Sequence, residues 1–264
     1  MAQTIVGDAN ARVSEKNPLV SGKVEYAGRP LRVQVAVPPA IEQGASITIR
    51  LFATGGVKGY TPSYLFGKAV SLDQLRADKM KDIASQAEEN LDAALEDLVH
   101  QRLNILISGG TSTGKTTFAR HLVTHVDDGE RLITIVDAFE LFPSQPNTVA
   151  LLASRSTGSQ RSSHALLQAS LRMRPDRIIV GELRGDEALT YLEAINTGHG
   201  GSVSTIHAET AELAKDRLAI MVLQAGTPLT IAEVRQYIQK SLDVTVQLGR
   251  VDGRRGIAEF YVPN

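Results

Sequence analysis

The apolar positions follow two periods that change along the chain. Residues 31–37 (LRVQVAV) alternate apolar and polar, stop at Pro38-Pro39, and are followed by a second alternating run at 46–52 (SITIRLF). A period of two is the spacing of a strand with one buried face. Gly55-Gly56-Val57-Lys58-Gly59-Tyr60-Thr61-Pro62 breaks the pattern, and its glycines and proline read as a linker. From 72 to 100 the period becomes helical: Ala87, Leu91, Ala94, Leu95 and Leu98 share one face. The acids Glu88, Glu89, Asp92, Glu96 and Asp97 fall on the others, with Glu88-Glu89 a solvated surface. Short apolar runs at 103–107, 132–136, 178–180 and 203–206 then alternate with helical stretches, which predicts α/β architecture with a parallel sheet. Two last apolar runs, 244–248 and 257–262, flank Asp252-Gly253 and predict a hairpin. No fixed-period repeat is visible. These shifts divide the chain into a β-rich unit at 1–54, a linker at 55–70 and an α/β unit at 71–264.

Composition narrows the classes. The chain has 264 residues, 42% apolar and 22% charged, enough for a full core and unlike a disordered segment. It contains no cysteine, which excludes disulfides and thiolate-held metal sites and fits a reducing compartment. A net charge of -1 gives direct nucleic-acid binding no support. The apolar runs are far shorter than the ~20 residues a membrane span needs, and the first residues lack the basic and apolar segments of a secretion signal. Any membrane role is then expected to be peripheral.

The sharpest chemical feature is Gly109-Gly110-Thr111-Ser112-Thr113-Gly114-Lys115-Thr116, which fits G-x-x-x-x-G-K-[ST] between an apolar run and a helical pattern. Glycines let successive N–H groups converge on phosphate oxygens, and a helix N-terminus adds positive potential there. Lys115 then serves the β- and γ-phosphates, the Thr116 hydroxyl ligates Mg²⁺, and Thr117 continues the site. Such a site also needs an acid at a neighbouring strand tip. Glu182, after Ile178-Ile179-Val180-Gly181, is the best candidate for both water and metal; Asp137 and Glu140 follow another apolar run. His207 ends the alternating stretch from Gly198 and could report a γ-phosphate, although a lone histidine there also reads as a packing residue. His199, in a glycine loop, reads as structural. Arg155, Arg161, Arg172, Arg174 and Arg184 form an arginine-rich region. In a subunit-bridging ATPase such groups reach a neighbour's phosphates, where an arginine finger contributes ~10³–10⁵ in rate.

Assembled, these residues resemble the VirB-type traffic ATPases of bacterial type IV secretion systems. The stretch LRMRPDRIIVGELRG at 171–185 looks like that family's Walker B segment, 196–208 like its His box, and 133–141 like its Asp box. The resemblance implies a RecA-like P-loop ATPase domain with a smaller β-rich α+β N-terminal domain, and ATP and Mg²⁺ as cofactors. It implies Arg50 and Arg32 near the nucleotide; Arg172 and Arg174, from the arginine-rich region, are candidate catalytic groups, and which arginine reaches a neighbour's phosphates stays open. It further implies a homo-hexameric ring, inner-membrane secretion components as partners, and a cytoplasmic location peripheral to that membrane. Two departures bear on this. The family's Asp box usually carries glutamate where Val136 stands, and the chain before the segment at 17–22 is short for the family, which implies a shortened N-terminal domain. An ATP-binding assembly switch with little hydrolysis is the competing reading. A GTPase is disfavoured, because no N-K-x-D guanine reader is present.

Overall fold

The computed structural model describes residues 12–52, 59–156 and 159–263. Residues 55–58 of the expected linker lie outside the described residues, with 53 and 54 before them. Three strands, β1 (Leu19–Tyr26), β2 (Arg29–Ala36) and β3 (Ser46–Leu51), form an antiparallel sheet in that order. The alternation in β2 buries Val33 and Val35, which pack with Val20 of β1. β1 went unseen in the sequence because LVSGKVEY interrupts its apolar positions with glycine, serine and lysine.

The predicted helical run is two helices, α1 (Leu72–Glu89) and α2 (Leu91–His100). Asn90 separates them: its backbone is extended and its side chain accepts a hydrogen bond from the Ala93 N–H at 3.2 Å. Asparagine is among the best helix N-caps, so it starts a new helix rather than continuing the old one. Ala94, Leu95 and Leu98 are buried as expected, while Glu88 and Glu89 are exposed.

The remaining strands form a seven-stranded sheet in the order β10-β9-β4-β8-β7-β5-β6. They are β4 (Ile105–Gly109), β5 (Leu132–Val136), β6 (Thr148–Leu152), β7 (Arg177–Val180), β8 (Val203–Ile206), β9 (Val244–Val251) and β10 (Arg254–Tyr261). Pairing is parallel throughout except for the terminal β9–β10 hairpin, which turns at Asp252-Gly253 as the sequence predicts. Five further helices are α3 (Lys115–Thr124), α4 (Ser163–Ser170), α5 (Glu187–Asn196), α6 (Ala211–Gln224) and α7 (Ile231–Ser241).

Strand alternation sends side chains to both faces of this sheet. Leu106, Ile133, Ile135, Ile178 and Val180 meet α4, α5, α6 and α7 on one side. Ile105, Ile107, Leu132, Val136 and Ile179 meet α1, α2 and α3 on the other. The result is a three-layer α/β/α sandwich, with the small antiparallel sheet attached through Ala36, Ala40 and Ile41.

A buried ion pair fixes the start of β7. The Arg177 guanidinium, 3% exposed, donates to both oxygens of Glu130 at 2.8 Å, and Arg102 adds a third bond at 2.7 Å. Burial alone would raise the Glu130 pKa, yet the two guanidinium groups hold it below the ordinary value. Arg177→Ala is expected to destabilise the fold by about 1.5–3 kcal/mol, because it removes two charge-assisted bonds and leaves Glu130 to Arg102 alone. A urea-unfolding loss below about 1 kcal/mol would show the pair to be dispensable.

Candidate active site

β4 lies between β8 and β9, so its carboxyl end opens beside the carboxyl end of β8, while β9 runs on past it. Clefts at the carboxyl ends of parallel strands are where α/β folds bind ligands. The chain leaves β4 at Gly109, where a Cβ would meet the Thr113 hydroxyl at 2.5 Å and the Leu248 carbonyl at 2.9 Å. It then passes Ser112 (φ 61°) and Gly114 (φ 98°) in left-handed conformations and enters α3 at Lys115. No side chain caps this helix, so its first N–H groups face the loop.

A cleft of about 410 Å³ opens over the loop. Lys115 lies at its base, 8% exposed, donating to the Gly109 and Gly110 carbonyls at 2.9 Å each. Burial lowers its pKa, against the pull of Glu182 and Glu209. Its Nζ is also 3.2 Å from Nδ1 of His207. An ammonium only donates, so Nδ1 accepts and the proton of a neutral imidazole resides on Nε2. That Nε2 faces Glu182 Oε1 at 3.5 Å. Burial and the adjacent Lys115 charge lower the His207 pKa, which keeps the ring neutral at pH 7.

The other Glu182 oxygen accepts from Arg184, whose guanidinium also reaches Asp137 at 2.7 Å. Asp137 in turn takes Arg155 at 2.6 Å. Lys115, His207, Glu182, Arg184, Asp137 and Arg155 therefore form one continuous polar chain across the strand ends. Thr111, Ser112, Thr116, Thr117 and Glu140 line the same cleft. Val136 lines it too, but is 4% exposed and packs where a Gly181 Cβ would meet its Cγ1 at 3.1 Å. That position supplies a wall and no acid.

Other predicted groups lie elsewhere. Arg32, Arg50, Arg172 and Arg174 line a second cleft of about 900 Å³ with Lys23 and His199. Arg172 and Arg174 precede β7 while Glu182 follows it, and four extended residues separate the strand ends by roughly 10 Å. Within one chain, then, these four arginines lie apart from the phosphate loop. Arg161 is a structural brace, donating to the Pro39 carbonyl at 3.0 Å. Sequence reading missed Glu209, whose carboxylate would stand 3.2 Å from a Gly110 Cβ, and Arg255 at the cleft rim. Glu209 belongs to no recognisable local motif.

The profile of the Type II/IV secretion system protein family matches residues 23–255, most of the chain. The chain belongs to that family. Within it, the chain is 32% identical to the type IV secretion system protein VirB11 of Bartonella henselae, over 99% of this chain and 78% of that protein. It is also 32% identical to the conjugal transfer protein TrbB of Rhizobium radiobacter, covering 98% of this chain and 73% of that one. The crystal structure of the Brucella suis VirB11 ATPase, in complex with sulphate, superposes with a TM-score of 0.81 at 30% identity. That alignment covers 98% of this chain and 81% of that one. The chain is a secretion ATPase of the VirB type, as the P-loop, Walker B and His box stretches indicate. Among the described residues no helix is long and apolar enough to cross a membrane.

Proposed function

We propose that this secretion ATPase is an ATP-hydrolysing motor of a type IV secretion system, acting as a homo-hexameric ring. It powers substrate export or pilus assembly at the cytoplasmic face of the inner membrane, alongside inner-membrane components of the machine. The observation that carries this reading is the cleft in which Lys115 and the α3 N-terminus face Glu182 across His207. The loop amides and Lys115 hold the phosphates. Glu182 takes a proton from the attacking water, Asp137 and Glu140 orient that water, and the His207 imidazole contacts the γ-phosphate.

Mg²⁺ fits this donor set. Thr116 and Glu182 both line the cleft and offer oxygen ligands, the donor type a hard cation takes beside water and substrate phosphates. When bound, it would neutralise charge on the transferring phosphoryl group.

The ring accounts for the second cleft, which gathers Lys23, Arg32, Arg50, Arg172 and Arg174 without one carboxylate. In the ring these groups approach a neighbouring subunit's nucleotide, and the region 55–62 of the linker acts as hinge between units at 1–54 and 71–264. Arg174→Ala is expected to lower turnover on the order of 10³-fold. Mixing it with Lys115→Ala, itself inactive, should restore activity, because each variant supplies what the other lacks. Absence of recovery in mixed rings, with mass measurements showing that they form, would refute the trans role.

A second reading, an ATP-loaded assembly switch, is favoured by Val136. Steady-state turnover with Mg²⁺, against the same protein in chelator, separates the two. Turnover that Mg²⁺ does not raise above the chelator baseline, with ATP bound, leaves the switch and removes the motor.

A further inference from the structure

The terminal hairpin extends past the point where the phosphate loop begins. β4 ends at Gly109, paired with Leu248 on β9, and β9 runs on to Val251 before the turn returns the chain as β10. The hairpin tip therefore overhangs the loop. Side chains alternate along a strand, so Arg250 shares the face of Leu248. Arg255 is the direct cross-strand partner of Arg250 and projects from that face. It lines the cleft, with its Cδ 4.0 Å from where a Gly114 Cβ would stand.

Two like charges directly opposite on an antiparallel pair repel each other. Neither Arg250 nor Arg255 has an ion-pair partner among the described residues. Arg184, the other arginine of the cleft, is already committed to Glu182 and Asp137. Positive charge without an ion-pair partner thus stands over the uncapped end of α3, where an anionic ligand would supply a counter-charge. A chain of linked phosphates can engage the loop amides and the hairpin at once. We infer that Arg255, reinforced by Arg250, is a nucleotide-binding residue that grips the polyphosphate of its own subunit's nucleotide. This rests on the phosphate-cleft reading above.

The test is titration calorimetry on the full chain with ADP, ATP and tripolyphosphate, for wild type and Arg255→Ala. The variant should bind all three about 10- to 100-fold more weakly, the range for a lost charge-assisted hydrogen bond. Its melting temperature without ligand should not fall, since an exposed, repelled side chain is removed. Wild-type binding with Arg255→Ala within twofold overturns the inference and leaves the cleft intact. Weakening confined to ligands that carry a base overturns the phosphate contact. No binding by wild type removes the cleft reading itself.

Discussion

Lys115→Ala should abolish ATP-dependent stabilisation and lower turnover by about 10²–10³-fold or more, the scale of removing one preorganised charge contact. The Lys115 head lies on the Gly109 and Gly110 carbonyls, at the mouth of the loop. Burial already disfavours its charge, and Glu182 and Glu209 sustain it. A triphosphate would complete that compensation, and alanine cannot. Wild-type protein at about 100-fold excess of ATP over Kd should gain about 2.7 kcal/mol of stability. The readout is the melting temperature with and without ATP. An equal upward shift in the variant would show that the nucleotide binds elsewhere.

Glu182→Gln should leave ATP binding within a few-fold of wild type and cut hydrolysis by about 10²–10⁴, the usual contribution of a general base. Glutamine keeps the shape and a hydrogen bond to Arg184 but cannot accept the proton of the attacking water. Arg184 also remains anchored on Asp137 at 2.7 Å, so the strand tips should stay in place. Single-turnover measurement on preloaded protein separates chemistry from binding. Unchanged hydrolysis would transfer the role to Asp137 or Glu140. That result would carry particular weight here, since Val136 leaves the Asp box short of an acid.

The phosphate loop was legible because its chemistry is local: eight consecutive residues supply the glycines, the lysine and the hydroxyl. The parallel sheet was legible for a similar reason, since 132–136 (LITIV, one threonine among four apolar residues) and 178–180 are short, mostly apolar runs of the kind a strand buried on both faces shows. The break at Asn90 was not, because a capping asparagine and a surface asparagine look alike in a helical pattern until the backbone turns. β6 was missed for want of alternation in TVALL, a run whose pairing with β5 decides its state.

The sequence by itself determined the loop, the strand-tip acids and the α/β class, because each depends on spacing within a few residues. Only the tertiary structure decided which charges meet. Lys115 and His207 are 92 residues apart yet 3.2 Å apart in space. Glu182 and Asp137 share Arg184 only because β7 and β5 pair in register. The arginines at 172 and 174 and the one at 255 look alike in sequence, but strand direction sends them to opposite ends of the sheet's strands. Electrostatic partnership falls off within ångströms, and chain separation does not measure that distance.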